Sequence, residues 1–201
     1  PLLNKMGCKV ESGIEQHGFY PAGGGKFKVT VTPTSILSGL EIIERGEITA
    51  RRVRGISANI PAHIAEREIK LVLDDLSWPV DYGVTKEVTS PGPGNAVIVE
   101  LESEHVTELF TGFGEIQIPW KKVAKNAVKQ TQRYLAAGVP VGRFLADQLL
   151  IPLAMAGYGR FRTLAPSMHT KTNIAIIKHF LDIKVSCEEI QPDVWEIEIE
   201  K

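Results

Sequence analysis

The sequence of 201 residues lacks the features of a disulfide-rich or membrane-spanning protein. Its two cysteines, Cys8 and Cys187, are too few for a disulfide framework and are not spaced as a metal-binding pair. Two isolated thiols are typical of a reduced, cytoplasmic protein, and we expect that location. The longest apolar run, 149–156, contains Pro152 and is much shorter than the roughly 20 residues of a membrane helix, so we expect no membrane partner.

A large excess of charge of one sign is also lacking. The 23 Lys and Arg residues against 24 Asp and Glu residues leave a formal net charge of −1 at pH 7. This balance argues against a broad basic surface for long nucleic acid, although a small site for one chain end is compatible with it. Two local basic clusters are present, and the second has a helical spacing that suits a solvent-facing surface: Arg51, Arg52 and Arg54, and Lys121, Lys122, Lys125 and Lys129.

Three common motifs for nucleotides and metals are absent. Next to the pair Gly25-Lys26, Tyr20 and Phe27 stand where a phosphate-binding P-loop needs glycine and Ser or Thr. No Gly-x-Gly-x-x-Gly sequence opens a helix, and the segment 63–67 lacks the second histidine of a zinc-binding helix. These absences argue against P-loop, dinucleotide-binding and zinc-protease classes.

Strand-like and helix-like segments alternate along the chain and predict an α+β fold. The segment from about 46 to 138 could form a small α/β domain in its own right. The predicted strands are 9–16, 26–32, 51–59, 82–89, 95–102, 106–113, 161–164, 184–189 and 194–200, and the predicted helices are 61–76, 120–137, 140–156 and 170–181.

His169 is the histidine whose position best suits chemistry. Ser167 or Thr170 is a candidate N-cap, so His169 stands at or near the start of a helix. Free backbone N–H groups and the positive end of the dipole favour phosphate there, and the same field favours the neutral imidazole of a nucleophile. The alternative is a capping histidine. Of the other histidines, only His17 is as well suited to a functional site as to a structural role, because it begins the glycine-rich loop 17–25.

Asp147 is a lone carboxylate in an apolar segment, where a bare charge is costly. It either forms a structural ion pair, for example with Arg143 or Arg160, or it has a function. Pro152 has no N–H for the carbonyl of Gln148, which predicts a break or kink near Gln148 and free polar groups that suit a ligand.

Three segments, taken in order along the chain, resemble the RNA 3'-terminal phosphate cyclase family. They are the glycine-rich loop His17-Gly-Phe-Tyr-Pro-Ala-Gly-Gly-Gly25, the stretch Tyr134 to Leu149, and the stretch Ser167-Met-His-Thr-Lys-Thr-Asn-Ile174. The resemblance covers essentially the whole chain. It implies a body of repeated two-layer α/β units, formed here by 1–45 and 139–201, with an inserted small α/β domain at 46–138.

The resemblance also implies an activity. Cyclases of this family use ATP and a divalent metal, Mg²⁺ or Mn²⁺, to convert an RNA 3'-phosphate end into a 2',3'-cyclic phosphate. The reaction passes through a covalent histidine–AMP and an RNA–phosphate–AMP anhydride. By motif match, His169 is the catalytic histidine, and the nucleotide-binding residues are Phe144, Leu145, Ala146, Asp147 and Gln148. Asp147 could orient the imidazole or hold the metal, and these two roles stay open.

The sequence departs from the family pattern in two ways, at Phe144 and in its length. Phe144 stands where a tyrosine is usual, so ring stacking is kept and a hydroxyl contact is lost. The family's chain is longer and begins upstream of Pro1, so this chain resembles its C-terminal portion, with the missing N-terminal part as an expected partner. The family also includes a non-catalytic scaffold protein of ribosome assembly, which should lack the histidine. The presence of His169 favours the enzyme.

Overall fold

The computed structural model describes residues 1–201, and its mixture of sheets and helices confirms the α+β prediction. The α-helices are α1 (Leu2–Lys5), α2 (His63–Leu76), α3 (Trp120–Ala137), α4 (Arg143–Ala156) and α5 (Met168–Phe180), and Val80–Tyr82 forms a short 3₁₀ helix. The strands are β1 (Lys9–Gln16), β2 (Lys26–Thr32), β3 (Glu41–Ile42), β4 (Ile48–Ala58), β5 (Gly83–Glu87), β6 (Gly94–Ser103), β7 (Thr107–Phe113), β8 (Tyr158–Thr163), β9 (Lys184–Gln191) and β10 (Val194–Glu200).

The first four-stranded sheet has the order β5-β4-β6-β7 and is covered by α2 and α3. Strands β4 and β5 are parallel, and the other two pairs are antiparallel. Val53, Val99 and Phe110 share the face on which the helices pack, because each is paired across neighbouring strands and buried. This alternation of buried and exposed residues is what a half-covered sheet requires.

The second four-stranded sheet has the order β3-β8-β10-β9 and packs against α4 and α5. Its core contains Phe161 and Ile197, which are paired across β8 and β10, and Leu150 and Leu153 of α4. Because α4 and α5 also pack against each other, the two helices with the predicted site residues lie side by side.

Strands β1 and β2 form a separate antiparallel hairpin. The predicted strand 26–32 is confirmed, but Phe27, Val29 and Val31, which alternate along it and share one face, are 67%, 48% and 54% exposed. The apolar face of the hairpin is therefore not buried within this chain.

The bounds of β1, β2, α3 and β10 match the sequence prediction, and several others differ by a few residues. Helix α2 begins at His63 rather than at Pro61, and α4 begins at Arg143 rather than at position 140. Of the break or kink predicted near Gln148, the break is wrong, because helix α4 runs through Pro152 without interruption, and the kink stays a prediction. Helix α1, β3 and the 3₁₀ helix were not predicted, because segments so short carry no periodic pattern.

Buried apolar side chains form two clusters. The first lies mainly within 46–138 but also includes Val139 and Leu164, and the second lies in the flanking segments. The division of the chain into a body and an inserted domain stays a prediction. Among the five α-helices, none combines the length and the apolar character that crossing a bilayer requires.

Candidate functional site

The start of α5 is defined by a side-chain cap. The Ser167 hydroxyl accepts the backbone N–H of Thr170 at 3.0 Å, so of the two predicted candidates Ser167 is the N-cap. Both residues are buried, which fixes this turn in the core. His169 is the second helical residue and its side chain is exposed. The imidazole therefore faces solvent at the end of the helix where backbone N–H groups have no partner within the helix.

The five predicted nucleotide residues occupy the first two turns of α4. Ala146 is buried and Leu145 is half-buried, so these two hold the helix against the core. Phe144 is 61% exposed, and Gln148, one turn later, is exposed as well. The exposed face of α4 thus presents an aromatic ring and an amide, with the half-buried Asp147 beside them.

A hydrogen bond joins α4 to α5. The side-chain amide of Asn173 donates to Oδ1 of Asp147 at 2.7 Å. Asn173 lies one helical turn after His169, so both side chains point from the same face of α5. The structure therefore connects the Asp147 carboxylate to the face of α5 that carries His169.

Neither predicted ion pair of Asp147 is formed. Arg160 instead pairs with Glu196 at 2.6 Å, and Arg143 at the start of α4 is exposed and makes no salt bridge. The partner that Asp147 does have, Asn173, was missed as a site residue by the sequence analysis. Its spacing of one turn from His169 within the third motif was the available signal.

Three of the five predicted nucleotide residues line two separate cavities. Leu145 and Gln148 line a cavity of about 680 Å³ together with α1 and the turn between β6 and β7. Phe144 lines another of about 400 Å³, together with Leu109 and Phe113 of β7. The chain therefore does not gather these residues around one enclosed pocket. The carbonyl of Gln148 has no partner at position 152, because proline has no N–H.

The start of α4 contacts a buried carboxylate that no sequence motif indicated. Oε1 of Glu108 on β7 accepts the backbone N–H of Gly142, the N-cap of α4, at 2.5 Å. Burial raises the pKa of Glu108 to about 7, although hydrogen bonds from the Gly142 and Leu109 backbones act to lower it. A second tie lies nearby, where the Tyr134 hydroxyl donates to the carbonyl of Pro140 at 2.9 Å.

The structure contains no group of three or more His, Cys, Asp and Glu side chains arranged to hold a metal ion. Asp147 can supply one carboxylate, and its hydrogen bond to Asn173 uses only Oδ1. Mg²⁺ is commonly held by one or two carboxylates together with water and substrate phosphates. A single carboxylate fits that type of site, in which substrate phosphates supply further ligands, and it does not fit an all-protein metal cage.

Comparison with known proteins decides the family. Residues 1–187 match the family model described as RNA 3'-terminal phosphate cyclase. The chain belongs to the RNA 3'-terminal phosphate cyclase family. It is similar to the RNA 3'-terminal phosphate cyclase of Koribacter versatilis (strain Ellin345), with 38% identity over 190 residues. The alignment covers 94% of this chain and 54% of the relative, so the chain spans about half the length of the curated relative it matches.

All the predicted site residues of this cyclase-family chain lie within the matched range. The resemblance drawn from the three motifs is thereby confirmed at the level of the family. The roles of His169 and of residues 144–148 stay predictions, and so does the choice between the two roles of Asp147.

In this cyclase-family chain the glycine-rich loop packs against the turn that leads into β6. Gly23 and Gly24 have φ of 66° and 77°, a left-handed backbone conformation that glycine adopts without strain. A Cβ atom on Gly94 would overlap the ring of Phe19, so the close approach of the loop depends on that glycine. His17 is half-buried and lines a cavity with the uncovered face of the first sheet.

The arginine cluster is largely neutralised by acidic neighbours. Glu100 pairs with Arg52 at 2.5 Å and with Arg54, and Glu102 pairs with Arg52 at 3.3 Å. The four lysines of α3 are exposed, as the helical spacing predicted.

Proposed function

We propose that the protein is the part of an RNA 3'-terminal phosphate cyclase that carries its nucleophile, and that His169 accepts AMP from ATP. The observation that supports this most directly is the exposed imidazole at the start of α5 in a chain whose residues 1–187 match the cyclase family. The reaction of the whole protein is the ATP-dependent conversion of an RNA 3'-phosphate into a 2',3'-cyclic phosphate.

The first step forms a bond between an imidazole nitrogen of His169 and the α-phosphorus of ATP. The bond from that phosphorus to the bridging oxygen breaks, and pyrophosphate leaves. A neutral imidazole supplies the electron pair and later loses its proton to solvent. The backbone N–H groups at the start of α5 face the phosphate oxygens and stabilise the charge that develops on them.

The second and third steps transfer AMP and close the ring. An oxygen of the RNA 3'-phosphate attacks the phosphorus of histidine–AMP, and the bond to the imidazole nitrogen breaks. The 2'-hydroxyl then attacks the 3'-phosphorus, loses its proton and expels AMP. A histidine suits this transfer because its bond to phosphorus is high in energy and is easily broken.

Helix α4 supplies the contacts to the nucleotide in this proposal. The exposed ring of Phe144 stacks on the adenine base, and this stacking needs no hydroxyl group on the ring. Asp147, held by Asn173 through one oxygen, keeps the other for the imidazole or for a divalent metal. When bound, Mg²⁺ or Mn²⁺ would neutralise charge on the phosphates of ATP.

Further contacts are expected from outside this chain. The match covers 54% of the length of the curated relative, so nearly half of that relative has no counterpart in this chain. We infer that an upstream part of the same protein supplies further groups that bind ATP and RNA, and that the chain alone gives weak cyclisation or none. We also infer a cytoplasmic location, which the two free cysteines support.

The test is incubation with ATP labelled at the α-phosphate, for the chain alone and for the chain together with the upstream segment. We expect label on the wild-type protein that is lost in mild acid and resists alkali, as a histidine–AMP bond should be. His169→Ala should take up no label. The matched control is His179→Ala, which removes an exposed histidine from the other end of α5 and should leave labelling unchanged.

Label on His169→Ala equal to that on the wild type would show that the nucleophile is another residue. If the wild type with its upstream segment takes no label but binds ribosome precursors tightly, the protein is a scaffold of the non-catalytic type.

A further inference from the structure

A buried carboxylate from the first sheet reaches the start of α4. Glu108 lies on β7, is 5% exposed, and accepts the backbone N–H of Gly142 at 2.5 Å. Gly142 is the N-cap of the helix that carries residues 144–148. The mechanism proposed above uses no group of β7, so the burial of this carboxylate has no explanation in the three chemical steps.

The fit between Glu108 and the backbone of this turn is close. A Cβ atom on Gly142 would lie 2.9 Å from both Cδ and Oε2 of Glu108. Such a distance is shorter than a normal contact between these atoms, so any side chain at this position would displace the carboxylate. Glycine at the N-cap therefore allows the carboxylate to reach the backbone N–H.

Other elements hold the same turn. The Tyr134 hydroxyl of α3 donates to the carbonyl of Pro140, and the N–H of Val141 donates to the carbonyl of Arg162 on β8 at 3.2 Å. The start of α4 is thus fixed from α3, β7 and β8 at once. Of these ties, the one from Glu108 involves a group that can change its charge near neutral pH.

The other titratable and charged groups near Glu108 are Tyr134, Arg45 and Arg143. Burial and the nearby Glu108 raise the pKa of Tyr134 far above neutrality, so its hydroxyl stays protonated. The charged groups on neighbouring elements are Arg45, which lies over the Tyr134 ring, and Arg143, which follows Gly142 in the chain. A carboxylate at a helix N-terminus is stabilised by the helix dipole, and a neutral carboxyl group is stabilised less.

We propose that Glu108 is a positioning residue for the nucleotide segment: its ionised carboxylate anchors the first turn of α4 and orders residues 144–148 for the reaction at His169. Glu108 stays buried in this step, and the Gly142 N–H acts to lower its pKa, so protonation of the buried carboxyl and release of the Gly142 N–H favour each other. The segment therefore becomes less ordered as the pH falls below about 7. This inference rests on the proposed function, because the segment matters for the reaction only if it binds the nucleotide.

The anchor is tested first without nucleotide, by NMR of the chain between pH 5.5 and 8.5. We expect the amide resonances of Gly142 and of residues 143–148 to titrate together with a midpoint near 7, and to lose this titration in Glu108→Gln. The matched control is Glu68→Gln. Glu68 is fully buried, and burial raises its pKa to about 7 as well. It accepts a hydrogen bond of 2.6 Å from the side-chain amide of Asn95, and neither residue lies on α4. This control should keep the titration of the α4 resonances.

The second measurement is the initial rate of label transfer from ATP at pH 6 and pH 8. We expect the rate at pH 8 divided by the rate at pH 6 to be about 2- to 5-fold larger in the wild type and in Glu68→Gln than in Glu108→Gln. The nucleophile and ATP are the same in all three proteins, so their contributions to the pH dependence cancel in the comparison. Where Glu108→Gln does not fold, Gly142→Ala is the second variant and should likewise lose the titration and the rate ratio.

Three results would overturn the inference, and they differ in what they mean for the proposed function. Amide resonances of α4 that do not titrate show that Glu108 does not anchor the helix. Titration with an unchanged rate ratio in Glu108→Gln, in a protein whose labelling depends on His169, removes the positioning role and leaves the proposed function intact. Absence of label on every form refutes the proposed function and the role of Glu108 together.

Discussion

Asn173 ties the predicted nucleotide segment to the predicted nucleophile. Its amide donates to Asp147, and it shares a face of α5 with His169. A carboxylate that accepts a short hydrogen bond is restricted in direction, so Asn173 determines where the Asp147 carboxylate points. This applies whether Asp147 orients the imidazole or holds a metal.

Replacement of Asn173 by alanine should slow the transfer of label from ATP by about 10-fold or more, because a hydrogen bond to a charged group contributes about 1.5 to 3 kcal/mol. Asn173→Asp should be worse, since it brings a second carboxylate against Asp147. The measurement is the initial rate of labelling at saturating ATP, with the ATP concentration for half-maximal rate measured alongside.

The control for this pair is Lys178→Gln, an exposed change on the same helix that should leave the rate unaltered. A wild-type rate for Asn173→Ala would show that the bond to Asp147 has no part in the reaction.

Among the helices, α5 depends on its first turn. The Ser167 hydroxyl caps the N–H of Thr170, and Thr170 is fully buried, while the rest of the helix buries only Ile177. A helix with so few buried residues relies strongly on its cap for a defined start. The cap thereby also decides the position of His169, two residues further along the chain.

The change Ser167→Ala should lower the free energy of unfolding by about 0.5 to 2 kcal/mol, as the loss of an N-cap generally does. Urea unfolding followed by circular dichroism measures this value. Thr172→Ala, an exposed change within the same helix, should leave the stability unchanged or slightly raised. Equal stabilities of Ser167→Ala and the wild type would show that the cap is not what holds α5.

Helix α4 shows how tertiary packing outweighs a local signal. Pro152 removes one backbone hydrogen bond, a loss on the order of 3 kcal/mol for an interior position, and this predicted a break or a kink. The leucines at 149, 150 and 153 are 3%, 0% and 0% exposed in the core of the second sheet. Burial of each such side chain contributes about 1.5 to 3 kcal/mol, so a continuous helix is favoured in spite of the proline.

Across the whole molecule, two buried carboxyl groups should make stability depend on pH. Burial raises the pKa of Glu68 and of Glu108 to about 7, from 4.5. The folded state therefore binds these protons more tightly than the unfolded state does. The resulting stability is fully present below about pH 4.5 and is lost as the pH rises through about 7.

Between pH 5.5 and 8 the free energy of unfolding should fall by about 1 to 2 kcal/mol for each of these two groups. Urea unfolding at several pH values measures this. Each single change to Gln should reduce the slope, and the double variant should have a nearly flat profile. Below this range Glu196 makes the opposite contribution to stability. Burial acts to raise its pKa, but Arg160 and Arg162 outweigh burial and hold the pKa low, so the stability from Glu196 is lost as the pH falls. A wild-type profile that rises from pH 5.5 to 8 would contradict the assignment.

Much of this fold follows from local patterns in the chain. The strand 26–32 and the helix 120–137 were predicted with the bounds that the structure has, because strand and helix patterns depend on residues close together in the chain. Three short motifs in order were enough to indicate the family. The start of α5 was narrowed to Ser167 or Thr170 for the same reason, since capping depends on residues three positions apart.

The tertiary structure alone decided which side chains meet across those elements. Asp147 and Asn173 are 26 residues apart, and Glu108 and Gly142 are 34 residues apart. No periodic pattern links positions so distant, since such pairs arise from how helices and sheets pack. The sequence therefore predicted His169 and the nucleotide segment, while packing selected Asn173 as the partner of Asp147 and brought the Glu108 carboxylate to the start of α4.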